Sequence, residues 1–322
     1  MYTRDEVQLM VQVARLYYEY NLTQEEIAAH LNITRQKASR LLISAREHGI
    51  IKTIIVDPFP RNMDLDLTEE LKIRFNLQDI EVVPGDLLEG EQLRTGIGLA
   101  AAGYLHRSLK DNQTVGVGWG RSLHRAINLI PKNEHKRIHA VPLIGGIGDV
   151  SPYFQVNELV AALAAAFSGT YRPLYAPAFI EQDDMLHDFL KTQEIVQISE
   201  YWNKLDVAIV GIGQVEFQKI SSMFFAEHIT KPTLAMLEEQ GAVGDICARF
   251  FNNKGIKVLP NLGVIGIQLD QLKSIPQVIA IAGGMEKINA ILGALRGGYI
   301  KTLITDAATA QAVLAEDKKE VI

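Results

Sequence analysis

Three glycine-bearing stretches of this 322-residue sequence follow short apolar runs and bring residue types suited to anion and polyol binding. Gly116-Val117-Gly118-Trp119-Gly120-Arg121-Ser122 follows Val115 and precedes a segment of helical pattern. Such a turn lets backbone N–H groups at a helix start point at an anion; Ser122 adds a hydroxyl and Arg121 a charge. The dinucleotide pattern G-x-G-x-x-G fails, because Arg121 stands where its last glycine is required, and the Gly-Lys-Ser/Thr ending of a nucleotide P-loop is missing. A small phosphate ester fits this turn better than a nucleotide.

The second stretch is Leu143-Ile144-Gly145-Gly146-Ile147-Gly148 and the third is Ala282-Gly283-Gly284-Met285-Glu286-Lys287. In the third, Lys287 is expected in the first turn of a helix, where it opposes the helix dipole. A bound phosphate would relieve that conflict. Asp245, within Gly241-Ala242-Val243-Gly244-Asp245-Ile246-Cys247, could accept hydrogen bonds from sugar hydroxyls, and Gly211-Ile212-Gly213-Gln214 could border the same site. Ligands of open α/β sheets sit beyond the carboxyl ends of strands, where these segments fall.

Catalysis on a bound sugar phosphate, as in an isomerase or deaminase, needs a carboxylate or histidine placed to move a proton. Asp149, Asp184, Asp245 and His187 are of the right type, yet no two of them form a recognisable acid/base motif. His135 and His139 have a metal-like spacing but flank Lys136 and Arg137 at a predicted strand start, which reads as surface. Cys247 has an apolar neighbourhood and reads as buried, not nucleophilic. No catalytic residue, metal ligand or cofactor is assigned.

A different chemistry lies near the N-terminus. Gln24 to Leu42 has helix-turn-helix spacing, with Ile27, Leu31, Ile33, Ala38 and Leu41 as the apolar packing positions and small Ala28 at the close approach. Thr23 caps the first of the two helices with Glu26 completing a capping box, and Thr34 caps the second. Asn32 stands in the turn, where asparagine tolerates left-handed backbone. Arg35, Gln36, Lys37, Ser39 and Arg40 are left facing outward, arginine suiting guanine and glutamine suiting adenine. Gln24 and Thr34 are placed to meet phosphates through helix N-termini.

These residues need elements to hold them. An apolar stripe of Val7, Met10, Val13, Ala14, Tyr17 and Tyr20 predicts a first helix over about Thr3–Tyr20. The second helix ends near Leu31; the third runs to about His48, with Gly49 at its C′ position. Ile50–Val56 reads as a strand. Asp57-Pro58-Phe59-Pro60 blocks regular structure, which divides the chain into a helix-turn-helix domain (1–56), a linker (57–63) and a large domain (64–322). Beyond the linker, Leu65–Phe75 reads as a helix. Strands are predicted at Ile80–Val83, Thr114–Val117, Ile138–Leu143, Val207–Val210, Val264–Ile267, Val278–Ile281 and Thr302–Ile304. Helices are predicted at Gln92–Leu109, Arg121–Ile130, Val156–Phe167, Met185–Leu190, Lys287–Arg296 and Ala307–Leu314. Apolar strands alternating with amphipathic helices make an α/β fold with a mostly parallel sheet covered on both faces.

Composition agrees with a folded protein: 48% hydrophobic and 22% charged residues, with one cysteine, which excludes an intrachain disulfide and fits a reducing compartment. The net charge is −6, yet Thr34–Arg46 carries Arg35, Lys37, Arg40 and Arg46 and no acid, so a basic face on an acidic protein is available for DNA. Arg4, Asp5 and Glu6 precede an amphipathic stretch, which is not a signal peptide, and the most apolar run, Leu159–Phe167, is too short to span a membrane. A cytoplasmic location and no membrane partner are expected.

Taken together, the order and spacing of these motifs resemble the SorC family of sugar-responsive bacterial transcriptional regulators. The matching parts are Thr23–Leu42, Val115–Ser122, Pro142–Gly146, Val207–Gly213, Gly241–Phe251 and Ile281–Asp306, the last with Lys287, Ala290-Ile291-Leu292-Gly293-Ala294-Leu295 and Thr305-Asp306. The resemblance implies an effector domain folded like sugar-phosphate isomerases and glucosamine-phosphate deaminases. It also implies homo-oligomers, dimers or homotetramers, that bind double-stranded operator DNA of a carbohydrate-utilisation operon and respond to a phosphorylated sugar. On matched positions it implies that Gly118, Gly120, Arg121 and Ser122 cradle phosphate, Lys287 neutralises it and Asp245 binds hydroxyls. An effector can act only by binding one arrangement of the oligomer better than another, so the response is expected at subunit contacts, not at the recognition helix.

Overall fold

Thr23 and Glu26 start the second helix as their spacing demands. The computed structural model describes residues 4–51, 65–84, 90–133, 135–147, 155–180, 183–217, 228–260 and 262–319, and it divides into two units, Met1–Phe59 and Pro60–Ile322.

The first unit holds α1 (Arg4–Tyr18), α2 (Gln24–His30) and α3 (Arg35–Glu47). Thr23 accepts from the Glu26 N–H at 3.3 Å while the Glu26 carboxylate accepts from the Thr23 N–H at 2.7 Å, a complete capping box. Thr34 accepts from the Lys37 N–H at 3.2 Å at the start of α3. Asn32 takes φ +51° in the turn between them, and Gly49 takes φ +69° after α3. Val13, Ile27, Ala38 and Leu42 form a small core, with Leu31, Ile33 and Leu41 packed against it. The α1 stripe is narrower than predicted: Val7 and Tyr20 are exposed, because the helix stops at Tyr18 and its ends overhang this core. Ile50 and Ile51 are not in a strand, and the rest of that predicted strand and the linker lie outside the described residues.

The second unit runs α4 (Leu65–Phe75), β1 (Asp79–Val83), α5 (Gly90–Ser108), β2 (Thr114–Val117), α6 (Arg121–Asn128), β3 (His139–Pro142), α7 (Val156–Ala166), β4 (Thr170–Tyr171) and β5 (Phe179–Ile180). It continues through α8 (Asp183–Leu190), α9 (Gln193–Trp202), β6 (Val207–Gly211), β7 (Gly213–Gln214), α10 (Lys231–Glu239), β8 (Ala242–Ile246), β9 (Arg249–Asn252) and β10 (Lys257–Val258). It ends with β11 (Gly263–Val264), α11 (Leu269–Ser274), β12 (Gln277–Ile281), a 3₁₀ turn (Met285–Lys287), α12 (Ile288–Arg296), β13 (Thr302–Asp306) and α13 (Ala307–Lys319).

Seven strands form one sheet in the order β1-β13-β12-β6-β2-β3-β4, every pair parallel. Alternate residues of its central strands enter opposite apolar layers. Val207, Ile209, Ile279 and Ile281 pack with Ile97, Leu123 and Leu163 of α5, α6 and α7; Ala208, Val210, Val278 and Ala280 face the other layer, with α9, α12 and α13. Strands buried on both faces explain the near-continuous apolar runs in the sequence. Chain order reverses between β2 and β6: β3 follows on one side and β12 on the other. That switch point leaves a crevice beyond the strand ends.

Two features depart from the predicted pattern. Residues 242–246, where no strand is predicted, form β8 of a four-stranded antiparallel sheet ordered β10-β9-β8-β7, and Asp245 lies on it. Val264–Ile267 is not a strand of the main sheet; only Gly263–Val264 pairs, antiparallel to β5. No helix among the described residues is long and apolar enough to cross a membrane.

Candidate functional site

A cavity of about 400 Å³ opens at the switch point. Its walls come from the α5 start (Arg94), the β2–α6 turn (Trp119–Leu123), the β6–β7 corner (Gly211–Gln214), β8 (Asp245) and the turn after β12 (Gly283, Glu286, Lys287). Gly120, Arg121, Ser122, Asp245 and Lys287, distant in sequence, are thereby brought to one site. Gly118 is not. Its N–H is taken by the Ile209 carbonyl at 2.9 Å, because the residue still belongs to the parallel strand end. The Leu143–Ile147 stretch also stays outside the lining; Ile144 and Gly146 bridge to Gly266 and Pro177 instead.

The start of α6 is the electropositive end. Its N-cap is Gly120 at φ +133°, a conformation that L side chains rarely adopt, so this residue can carry no capping side chain. Among the described residues no side chain caps the helix, and its first turn has no acid. The first N–H groups of α6 therefore keep their partial positive charge beside the cavity. Arg121, exposed at the first position, makes no hydrogen bond or ion pair among the described residues.

Opposite lies a desolvated pair. Asp245 is 3% exposed and accepts from the Ala248 N–H at 3.0 Å across the β8–β9 turn. A Cβ on Gly213, its partner on β7, would lie 2.0 Å from the Asp245 carboxylate, so only glycine lets that carboxylate seat there. Burial pushes the Asp245 carboxyl up to about 6, against the pull of the Ala248 N–H and of Lys287. Lys287 donates to the Ile212 carbonyl at 2.8 Å. Burial pulls its pKa down, while the Glu286 and Asp245 carboxylates favour its charge. Lys287 closes the 3₁₀ turn and is the N-cap of α12, one residue before the predicted first-turn position. Its conflict with the dipole is met by these carboxylates and a strand-end carbonyl. Cys247 is buried at the cavity base, and its thiol pKa is raised by burial and then by Asp245. It is a poor nucleophile.

A buried network holds the Lys287 loop. Asp306, at the end of β13, accepts from the Gly284 N–H at 3.0 Å, the Thr309 N–H at 2.9 Å and the Thr309 hydroxyl at 2.7 Å. Arg94 donates to Glu91 at 3.1 Å, and Arg125 of α6 contacts Glu91 and Thr95, tying α5 to α6. Arg94, Trp119 and Glu286 escaped the sequence reading as lining residues. Glu91 and Arg94 look like an ordinary surface pair, and nothing in sequence announces that α5 starts beside Arg121. Of the proton-transfer candidates, Asp184 and His187 lie on α8 away from this lining, and Asp149 lies outside the described residues. His139 sits against Thr170 at 2.8 Å, and His135 is exposed.

In the helical unit, Thr34, Arg35, Gln36, Lys37 and Arg40 are exposed along the start of α3, with Gln24 and Ser39 half-buried. Arg35 lies 3.6 Å from Glu25 of α2, both well exposed. The first turn of α3 holds no acid.

The family model described as "Putative sugar-binding domain" matches residues 60–315. The chain is 34% identical over 321 residues to the sorbitol operon regulator of Klebsiella pneumoniae, covering 98% of this chain and all of that one. It is 33% identical over 315 residues to the deoxyribonucleoside regulator of Bacillus subtilis, covering 97% and 98%. A crystal structure of the full-length sorbitol operon regulator SorC from Klebsiella pneumoniae matches with a TM-score of 0.74 at 32% identity, covering 97% of this chain and all of that one. With a sugar-binding domain behind a helix-turn-helix, and relatives over its whole length that regulate transcription, the chain belongs to the SorC family of sugar-responsive transcriptional regulators and not to the sugar-phosphate enzymes.

Proposed function

We propose that this regulator works in the cytoplasm as a homo-oligomer, dimer or tetramer, that binds the operator of a carbohydrate-utilisation operon and responds to a phosphorylated sugar. Gln24, Thr34, Arg35, Gln36, Lys37, Ser39 and Arg40 meet the DNA. Arginine and glutamine read base edges from the start of α3, while Gln24 and Thr34 position the unit on phosphates. Gly120, Arg121 and Ser122 cradle the effector's phosphate, with Gly118 shaping the strand end before them. Lys287 supplies charge and Asp245 accepts from sugar hydroxyls.

One observation carries the phosphate: a helix start with no side-chain cap, no acid in its first turn and an arginine at its first position that is unpaired among the described residues opens into a cavity at the sheet's switch point. The proposal is tested by a gel mobility shift on DNA upstream of the protein's own operon, titrated with hexose and pentose phosphates and their unphosphorylated sugars. A specific shift changed by one phosphorylated sugar, and not by its parent sugar, is expected. A response to the parent sugar alone would remove the phosphate.

A further inference from the structure

Besides the α5 start, the cavity is lined by the α6 start and by the 3₁₀ turn after β12, and these two differ in charge. At α6 the first turn has no acid and no side-chain cap. At the turn after β12 a carboxylate lies close by. Gly284 is its N-cap at φ +106°, and Glu286 folds back over it, so that a Cβ on Gly284 would lie 2.5 and 2.7 Å from the two carboxylate oxygens. A carboxylate there sets a negative charge against an anionic ligand at this end of the cavity. Glu286 is exposed at the cavity wall and makes no hydrogen bond or ion pair among the described residues.

The charges lining the cavity point the same way. Its cations are Arg94, Arg121 and Lys287, and its carboxylates are Asp245 and Glu286. Arg94 is engaged by Glu91, and Lys287 is held between the Ile212 carbonyl and the fields of Glu286 and Asp245. Of these three cations, Arg121 alone makes no hydrogen bond or ion pair among the described residues. The cavity thus has one anion pole, at α6, and one acceptor-rich pole, at Glu286 and Asp245.

We infer that Glu286 is a specificity-determining residue: it turns the second pole against a further phosphate or carboxylate, so the effector is a sugar bearing a single phosphate, with hydroxyl donors at its other end. This rests on the reading of the cavity as the effector site. Like charges brought together on binding are strongly disfavoured, which is how a site rejects a wrong ligand.

The full chain is titrated calorimetrically with inorganic phosphate, fructose 6-phosphate, fructose 1,6-bisphosphate, and a panel of other hexose and pentose monophosphates and bisphosphates. Wild type is expected to bind at least one monophosphate about tenfold or more tighter than the bisphosphate of the same sugar. The isosteric Glu286→Gln is expected to shrink that ratio about fivefold or more by tightening bisphosphate binding, with inorganic phosphate within about twofold of wild type. A bisphosphate that binds wild type as tightly as its monophosphate overturns the inference. So does a Glu286→Gln ratio equal to wild type, or equal loss of both ligands, which would make Glu286 a loop-stabilising residue only. Arg121→Ala separates the two levels: if it weakens monophosphate binding while Glu286→Gln leaves the ratio unmoved, the cavity reading stands and this inference falls. If no monophosphate binds, or Arg121→Ala changes nothing, the cavity reading falls and takes the inference with it.

Discussion

Helix α3 and the cavity at the switch point handle charge in opposite ways. On α3 the basic side chains are exposed, and the ion pair of Arg35 with Glu25 is open to solvent. Such pairs are worth little, and cations of this kind act by displacing counterions from a polyanion. In the cavity, charge is partly or wholly withdrawn from water: Asp245 titrates at about 6 and Lys287 is easier to deprotonate than a free lysine. The first surface should therefore respond to salt and barely to pH, and the second to pH and ligand and little to salt.

The largest break should come from Asp306→Ala, which removes the acceptor of the Thr309 N–H and half the anchor of Gly284. A loss of about 3 kcal/mol is expected in denaturant unfolding of the large unit, with the cooperative unfolding of the helical unit unchanged. Equal loss in both would erase the contrast between the two regions.

Next is the pH dependence of Asp245. Its folded pKa of about 6 lies above the ordinary value of 3.8, so the folded state holds a proton that the unfolded chain has released. The associated stability is fully present below about pH 4 and is lost as pH rises through about 6, roughly 3 kcal/mol in all. Asp245→Asn should lack this loss, so comparing urea unfolding of the two proteins at about pH 4 and pH 7 measures it directly. Effector hydroxyls donating to the carboxylate favour its ionised form, so effector affinity should rise over the same window.

Lys287→Ala sharpens the contrast within the cavity. It should weaken a sugar phosphate by about tenfold or more while costing the unphosphorylated sugar much less. Equal loss for both would make the lysine structural. The smallest effect belongs to the exposed surface: Arg40→Ala should lower operator affinity by up to about tenfold and reduce the salt slope by about one. Its effector affinity should match wild type, and unchanged operator affinity would remove Arg40 from the contacts.

Much of this was legible in sequence where the determinants are local. Thr23 with Glu26, Thr34, Asn32 and Gly49 act through backbone groups within four residues, so their types and spacing suffice to place helix starts, a turn and a helix end. Strands such as Thr114–Val117 were readable because burial on both faces leaves an apolar run bounded by turns. The antiparallel sheet was not: its strands are short, and β8 carries a glycine and an acid that locally read as a turn. What permits Asp245 there is Gly213, more than thirty residues earlier, which leaves room for the carboxylate.

Read from its sequence, this chain has two capped helices at helix-turn-helix spacing, the second with no acid in its first turn, an α/β domain with a mostly parallel sheet, and a glycine-bearing turn between β2 and α6. Each follows from side chains acting on their own backbone or on a face of one element. The tertiary structure alone decided that Arg94, Arg121, Asp245, Glu286 and Lys287 share a cavity and that Gly118 does not line it. It also decided which charges are desolvated. These outcomes depend on strand order, on where β2 and β6 diverge, and on how much water the packed layers exclude, and distances and dielectric of that kind arise only when remote segments meet.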